Sequence, residues 1–105
     1  MAHPALTGKP YLTRIVISSP GTAEQLSNVP IPDGFGPPTF KNRADNTGNF
    51  YLGLSAAAAQ SSSGARKVLT PGESTSDWRV QNLNLVYVDA DNGTDALEVT
   101  YILPA

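Results

Sequence analysis

The chain has 105 residues, a formal net charge of −2, 15% charged residues and no cysteine. That length allows a single domain that buries roughly 65% of the surface its unfolded form exposes, and a charged fraction below the ~25% of an ordinary domain argues against a solvated helical bundle or charged disorder. Seven Lys and Arg against nine Asp and Glu leave no positive excess to neutralise a phosphate backbone, so nucleic acid is not an expected partner. The lack of cysteine removes disulfide scaffolds, thiol nucleophiles and thiolate zinc sites.

Residues 1–13 carry Pro4 and Pro10 and show no alternation, so they read as an extended N-terminal arm, without the apolar core of a secretory signal. Arg14 to Ser18 is rich in β-branched residues and predicts a strand. Ala23 to Asn28 predicts a short second strand. Pro30, Pro32, Gly34, Gly36, Pro37 and Pro38 then impose a loop without regular ladder bonds. Thr39 to Ala44 reads as a strand, and Phe50, Leu52 and Leu54 alternate with Tyr51, Gly53 and Ser55 as a half-buried one. Ser55 to Gly64 is of low complexity and has no large apolar anchor, so it predicts a mobile surface loop rather than a helix. Lys67 to Leu69 leads into Thr70-Pro71-Gly72-Glu73, where Pro then Gly suits the centre of a type II turn. Ser74 to Val80 follows, with Trp78 and Val80 on one face. Leu85 to Ala90 and Asp95 to Ile102 flank Asp91-Asn92-Gly93-Thr94, a strong hairpin signal that sets Val88 opposite Leu97 and Val86 opposite Val99.

About eight short strands with no room for crossover helices predict an all-β fold, an antiparallel β-sandwich or jelly roll, over residues 14–105 behind the arm at 1–13. No apolar run approaches the ~20 residues of a membrane span, so no membrane partner is expected either.

Catalytic chemistry finds little footing. His3 is the sole histidine and lies near a terminus, where a general base is poorly held. Ser61, Ser62 and Ser63 sit in the low-complexity loop. Asp89, Asp91 and Asp95 alternate around Gly93 like the opening of a calcium loop, but the glycine falls one position early and Thr100 stands where a bidentate Glu belongs. A side-chain-supported turn accounts for the same residues. Lys41-Asn42-Arg43 and Arg66-Lys67 offer, with Phe40 and Tyr51, the makings of a polar ligand site, but solvated strand faces are the stronger reading because isolated surface charges are the norm. No enzyme activity and no cofactor are expected.

Several segments in order resemble a group of small β-rich bacteriophage virion proteins. They are Gly21-Thr22-Ala23-Glu24-Gln25-Leu26 with Val29-Pro30-Ile31-Pro32-Asp33-Gly34, Asn46-Thr47-Gly48-Asn49-Phe50-Tyr51-Leu52-Gly53, Leu69-Thr70-Pro71-Gly72-Glu73-Ser74, and Val80-Gln81-Asn82-Leu83-Asn84-Leu85-Val86-Tyr87-Val88-Asp89. The resemblance implies a virion part made in the bacterial host cytoplasm: a head decoration protein, a fibre-associated module, or a minor head or tail component. It carries no catalytic residues. For a decoration protein the expected partner is the major capsid protein lattice, and the expected form is a small homo-oligomer, a trimer being favoured. Leu6, Tyr11 and Leu12 of the arm are then the candidate contacts with the shell or a neighbour's sheet edge. The rival is a receptor- or carbohydrate-binding module of a tail or fibre, with Tyr51, Tyr87 or Trp78 as its aromatic platform. Trp78 alternates with Val80 and is therefore expected in the core.

Overall fold

A computed structural model describes residues 8–32, 34–60 and 67–104 of the chain. It contains eight strands: β1 (Gly8–Ile15), β2 (Glu24–Gln25), β3 (Thr39–Asn42), β4 (Phe50–Gly53), β5 (Lys67–Leu69), β6 (Ser74–Thr75), β7 (Tyr87–Ala90) and β8 (Leu97–Pro104). Among the described residues there are also one helical turn, α1 (Ala56–Ala59), a 3-10 turn at Leu83–Leu85 and an isolated antiparallel bridge between Pro30 and Asn82. The strands form two four-stranded sheets in the orders β1-β8-β3-β6 and β2-β7-β4-β5, with every pairing antiparallel. First pairs with last, second with seventh, third with sixth and fourth with fifth. That nesting is a long hairpin rolled into a sandwich, the jelly-roll arrangement.

One core holds the two layers together. Phe40, Leu97 and Val99 from the first sheet meet Phe50, Leu52, Leu69 and Val88 from the second, all fully buried. Ile17, Leu26, Ile31, Leu83 and Val86 close its ends. Each position lies on the inward parity of its segment, so burial at roughly 25 cal/mol per Å² of apolar area drives the sheets face to face.

Several expectations change. The described part of the arm, residues 8–13, is strand: β1 runs from Gly8 to Ile15 and pairs with β8 along its whole length. Seven of its eight residues are exposed, so no apolar alternation marked it. Second, β7 and β8 do not pair with each other; they belong to opposite sheets. A jelly roll sends consecutive strands across the sandwich, and the 91–96 segment makes that crossing. Gly93 lacks the positive φ that a two-residue Asn-Gly hairpin turn requires. Third, Leu54 does not continue the buried face of β4 but is half-exposed. Fourth, the Ser74 to Val80 strand shortens to Ser74–Thr75, beyond which Trp78 lies partly buried with its ring edge-on to Phe40, centroids 6.2 Å apart.

The alanine run also differs from the loop expected of it. Ser55 caps α1, its hydroxyl accepting from the Ala58 amide at 3.2 Å, and Ala59 is fully buried against β4. Gly53 permits this: a Cβ there would lie 2.7 Å from the Ala59 nitrogen. Gly53→Ala is expected to cost about 2 kcal/mol by overpacking against backbone, read as a lower denaturation midpoint at unchanged m-value; an unchanged midpoint would show that the turn yields freely. The Thr70–Glu73 turn is as expected. Gly72 has φ +92°, the Glu73 amide donates to the Thr70 carbonyl at 2.9 Å, and the Glu73 carboxylate accepts from the Thr70 amide at 2.7 Å. The bond from the Thr70 amide, and then that from the Thr70 side chain, hold the Glu73 carboxyl below its usual pKa.

Candidate interaction surface

Tyr11 and Leu12 both lie on β1, 39% and 50% exposed. Leu6 lies outside the described residues, as do His3, Ser61, Ser62, Ser63 and Arg66. The structure therefore brings two of the three candidate contacts together on one strand. β3 pairs only with Leu97 to Thr100 of β8, whereas β1 follows β8 to Pro104. The stretch from Tyr101 to Pro104 with Gly8 to Tyr11 is consequently a two-stranded ribbon reaching past the edge of β3.

Registry sorts the ribbon's side chains. Leu97 and Val99 point into the core, so Tyr101 and its partner Tyr11 share the inward side, where their rings stack with centroids 5.7 Å apart. The Lys9 ammonium lies 5.8 Å from the Tyr11 ring centroid. Glu98, Thr100 and Ile102 face outward, paired with Arg14, Leu12 and Pro10 respectively. Ile102 and the Phe35 ring close over Gly8. Of the exposed large apolar side chains, Tyr11 and Ile102 are in the ribbon and Leu12 adjoins it, while Val16 lies past the other end of β1. Sequence reasoning found Tyr11 and Leu12 but missed Ile102, Phe35 and Tyr101, because only the β1–β8 pairing brings residues from the two chain ends together.

Two depressions mark the outward face. One, of about 260 Å³, is lined by Pro10, Phe35, Pro37, Thr39, Thr100, Tyr101 and Ile102. The other, of about 360 Å³, is lined by Arg14, Lys41, Arg43, Ala44, Asp45 and Glu98. Within it the Glu98 carboxylate takes Arg14 Nε at 3.3 Å and Arg43 Nη1 at 4.0 Å, while Arg43 Nε also reaches Asp45 at 3.1 Å. A third groove, of about 440 Å³, opens between β1 and β2, with Leu26, Leu83 and Val99 in its floor and Arg14, Glu24 and Gln25 among its walls.

The acidic run near the β7–β8 crossing is committed to structure. Asp89 is fully buried and accepts from the Gly21 amide at 2.9 Å. Asp91 accepts from the Asn49 amide at 2.9 Å and the Tyr51 hydroxyl at 2.8 Å. Burial and then this bond to the Asp91 anion raise the Tyr51 pKa above its ordinary value. Asp95 accepts from the Gly48 amide at 2.8 Å, the Thr47 amide at 3.2 Å and the Asn92 side chain at 3.2 Å. The three carboxylates thus point to different partners, and among the described residues no group of three His, Cys, Asp or Glu is placed to hold a metal ion. Among the same residues no helix is long and apolar enough to cross a membrane.

Of the aromatic platform residues, Tyr51 and Tyr87 are half-buried on the outer side of β4 and β7. Trp78 lines an open depression with Leu54, Arg79 and Val80. Comparison with protein-family models, curated proteins and solved structures finds no match to the chain.

Proposed function

We propose that the chain is a non-enzymatic structural component of a bacteriophage virion: a head decoration protein that binds the assembled shell of the major capsid protein as a small homo-oligomer, a trimer being favoured. The observation that carries this reading is the β1–β8 pairing, which leaves Leu12 and Ile102 exposed as diagonal neighbours on its outward side. Contiguous exposed apolar side chains on a soluble domain mark a surface meant to be covered. The jelly-roll order adds a fold-level analogy, since viral capsid domains use it, as do lectins. Structural use of Asp89, Asp91 and Asp95 removes the most acid-rich stretch as a candidate for chemistry. Copies that bind only the assembled shell stabilise it by mass action.

Size-exclusion chromatography with light scattering over a wide concentration range tests the oligomer: a mass three times that of the chain is expected, and other fixed multiples would replace the trimer. Cosedimentation with heads assembled without the protein tests the function. Saturable binding is expected, and its absence would overturn the reading.

A second reading, a carbohydrate-binding module of a tail or fibre, is favoured by one observation, the Trp78 depression. Its ring packs on the core and edge-on to Phe40, which suits a structural role better than a sugar platform. Titration with oligosaccharides is therefore expected to leave tryptophan fluorescence unchanged; saturable quenching would establish the rival.

A further inference from the structure

We infer that the outward face of the β1-β8-β3-β6 sheet is the docking surface, and that its occupant is an extended segment of the shell subunit presenting a bulky apolar side chain and a carboxylate four residues apart. This deepens the decoration reading and rests on it.

The free edge of β1 is the first alternative, and its chemistry argues against it. The other three sheet edges are two- or three-residue strands, so among the described residues β1, at eight residues, is the only long one. It is guarded, however, by Pro10, which has no N–H to offer, and by Lys9 and Arg14, which repel a like strand. Self-pairing of β1 would bring four cations together with no acid on either strand. The face offers side chains rather than a backbone ladder, so the missing N–H of Pro10 does not bar a partner there.

Its two depressions differ in chemistry and are set apart by strand geometry. The socket beside Ile102, Phe35 and Pro37 has no charged residue in its wall. The one around Glu98 holds three cations, Arg14, Lys41 and Arg43, against two carboxylates, Glu98 and Asp45. Arg14 and Arg43 are engaged with those acids, while Lys41 makes no ion pair among the described residues. One positive charge therefore remains in excess in this depression of a chain whose net charge is −2. An incoming carboxylate fits there, and the same excess steers encounter with an acidic surface. Ile102 and Glu98 stand four residues apart on β8, about 13 Å at the rise of an extended strand. An extended segment covers the same distance in four residues, so one side chain enters each socket.

The test is binding to heads assembled without the protein, measured for the wild type, Ile102→Asp, Leu12→Asp, Lys41→Glu and the control Lys67→Glu on β5. All four sites are exposed, and each variant's thermal melt and light-scattering mass are recorded beside its affinity. The expected result is a loss of about tenfold or more for Ile102→Asp and Lys41→Glu, the scale of a central contact, with Lys67→Glu unchanged. Leu12→Asp, between the sockets, repeats the apolar test if Ile102→Asp melts early. Equal binding by all variants while the wild type binds would overturn the docking face alone. So would a loss with Lys67→Glu as large as with Lys41→Glu, which would mean diffuse electrostatics. Conversion of a wild-type oligomer to monomer by Ile102→Asp, with head binding retained, would assign the face to a second copy instead. Failure of the wild type to bind would overturn the decoration reading and this inference with it.

Discussion

Asn42→Ala is expected to destabilise the fold by about 4 kcal/mol, close to the lower bound of what a domain of this size has to lose. Asn42, expected on a solvated strand face, is instead fully buried on β3, where its side-chain amide meets backbone partners. Its amide donates to the carbonyls of Gly48 at 3.0 Å and Leu69 at 2.8 Å, and its carbonyl accepts from the Asn46 amide at 2.8 Å. Truncation strands two backbone carbonyls and one side-chain donor where little water reaches, each costing about 1–3 kcal/mol, and leaves a small cavity. Thermal unfolding should shift down by roughly 15–25 °C. A shift of only a few degrees would mean that water replaces the side chain.

Asp95→Ala is expected to cost about 3 kcal/mol through the other end of the same network. The residue is 7% exposed, and its carboxylate gathers the Gly48 and Thr47 amides with the Asn92 side chain. Bonds to a charged acceptor are worth roughly twice neutral ones. Burial acts to raise the carboxyl pKa, but the bonds from Gly48, Asn92 and Thr47 together outweigh it, and the net shift is downward. A folded-state pKa below the unfolded value gives stability that is present above the unfolded value of about 3.9 and is lost as pH falls through the folded one. The wild type should therefore lose stability below about pH 4 more steeply than Asp95→Asn, which has no such proton to bind; parallel acid profiles would contradict the assignment. Gly48 joins the two sites, its amide donating to Asp95 and its carbonyl accepting from Asn42, while the Asn46 side chain donates to Asn42 and to the Ala96 carbonyl at 2.8 Å each. The double variant should accordingly deviate from additivity by at least about 0.5 kcal/mol.

This network also explains where reading the residues succeeds and fails. Val86, Val88, Leu97 and Val99 were all expected on one apolar face, and all are fully buried. Alternation reports which side of a strand faces the core, and that holds whichever strand lies alongside. It says nothing of pairing, so the same four residues are compatible with a hairpin and with opposite sheets. The choice is made by Asp91, Asn92 and Asp95, whose bonds to residues 47–51 tie the crossing to the loop before β4. Such bonds join positions about 45 residues apart and leave no local pattern. In the candidate surface, Leu12 and Tyr11 were legible as apolar residues in a stretch with no core pattern. Ile102 was not, because as an outward residue it is distinguished only by the chain end it meets.

Quantitative mass spectrometry of purified phage heads tests the central claim most directly. A decoration role requires the chain in heads at a copy number of the same order as the major shell protein. Its absence from heads, or its presence in only a few copies per particle, would contradict that role.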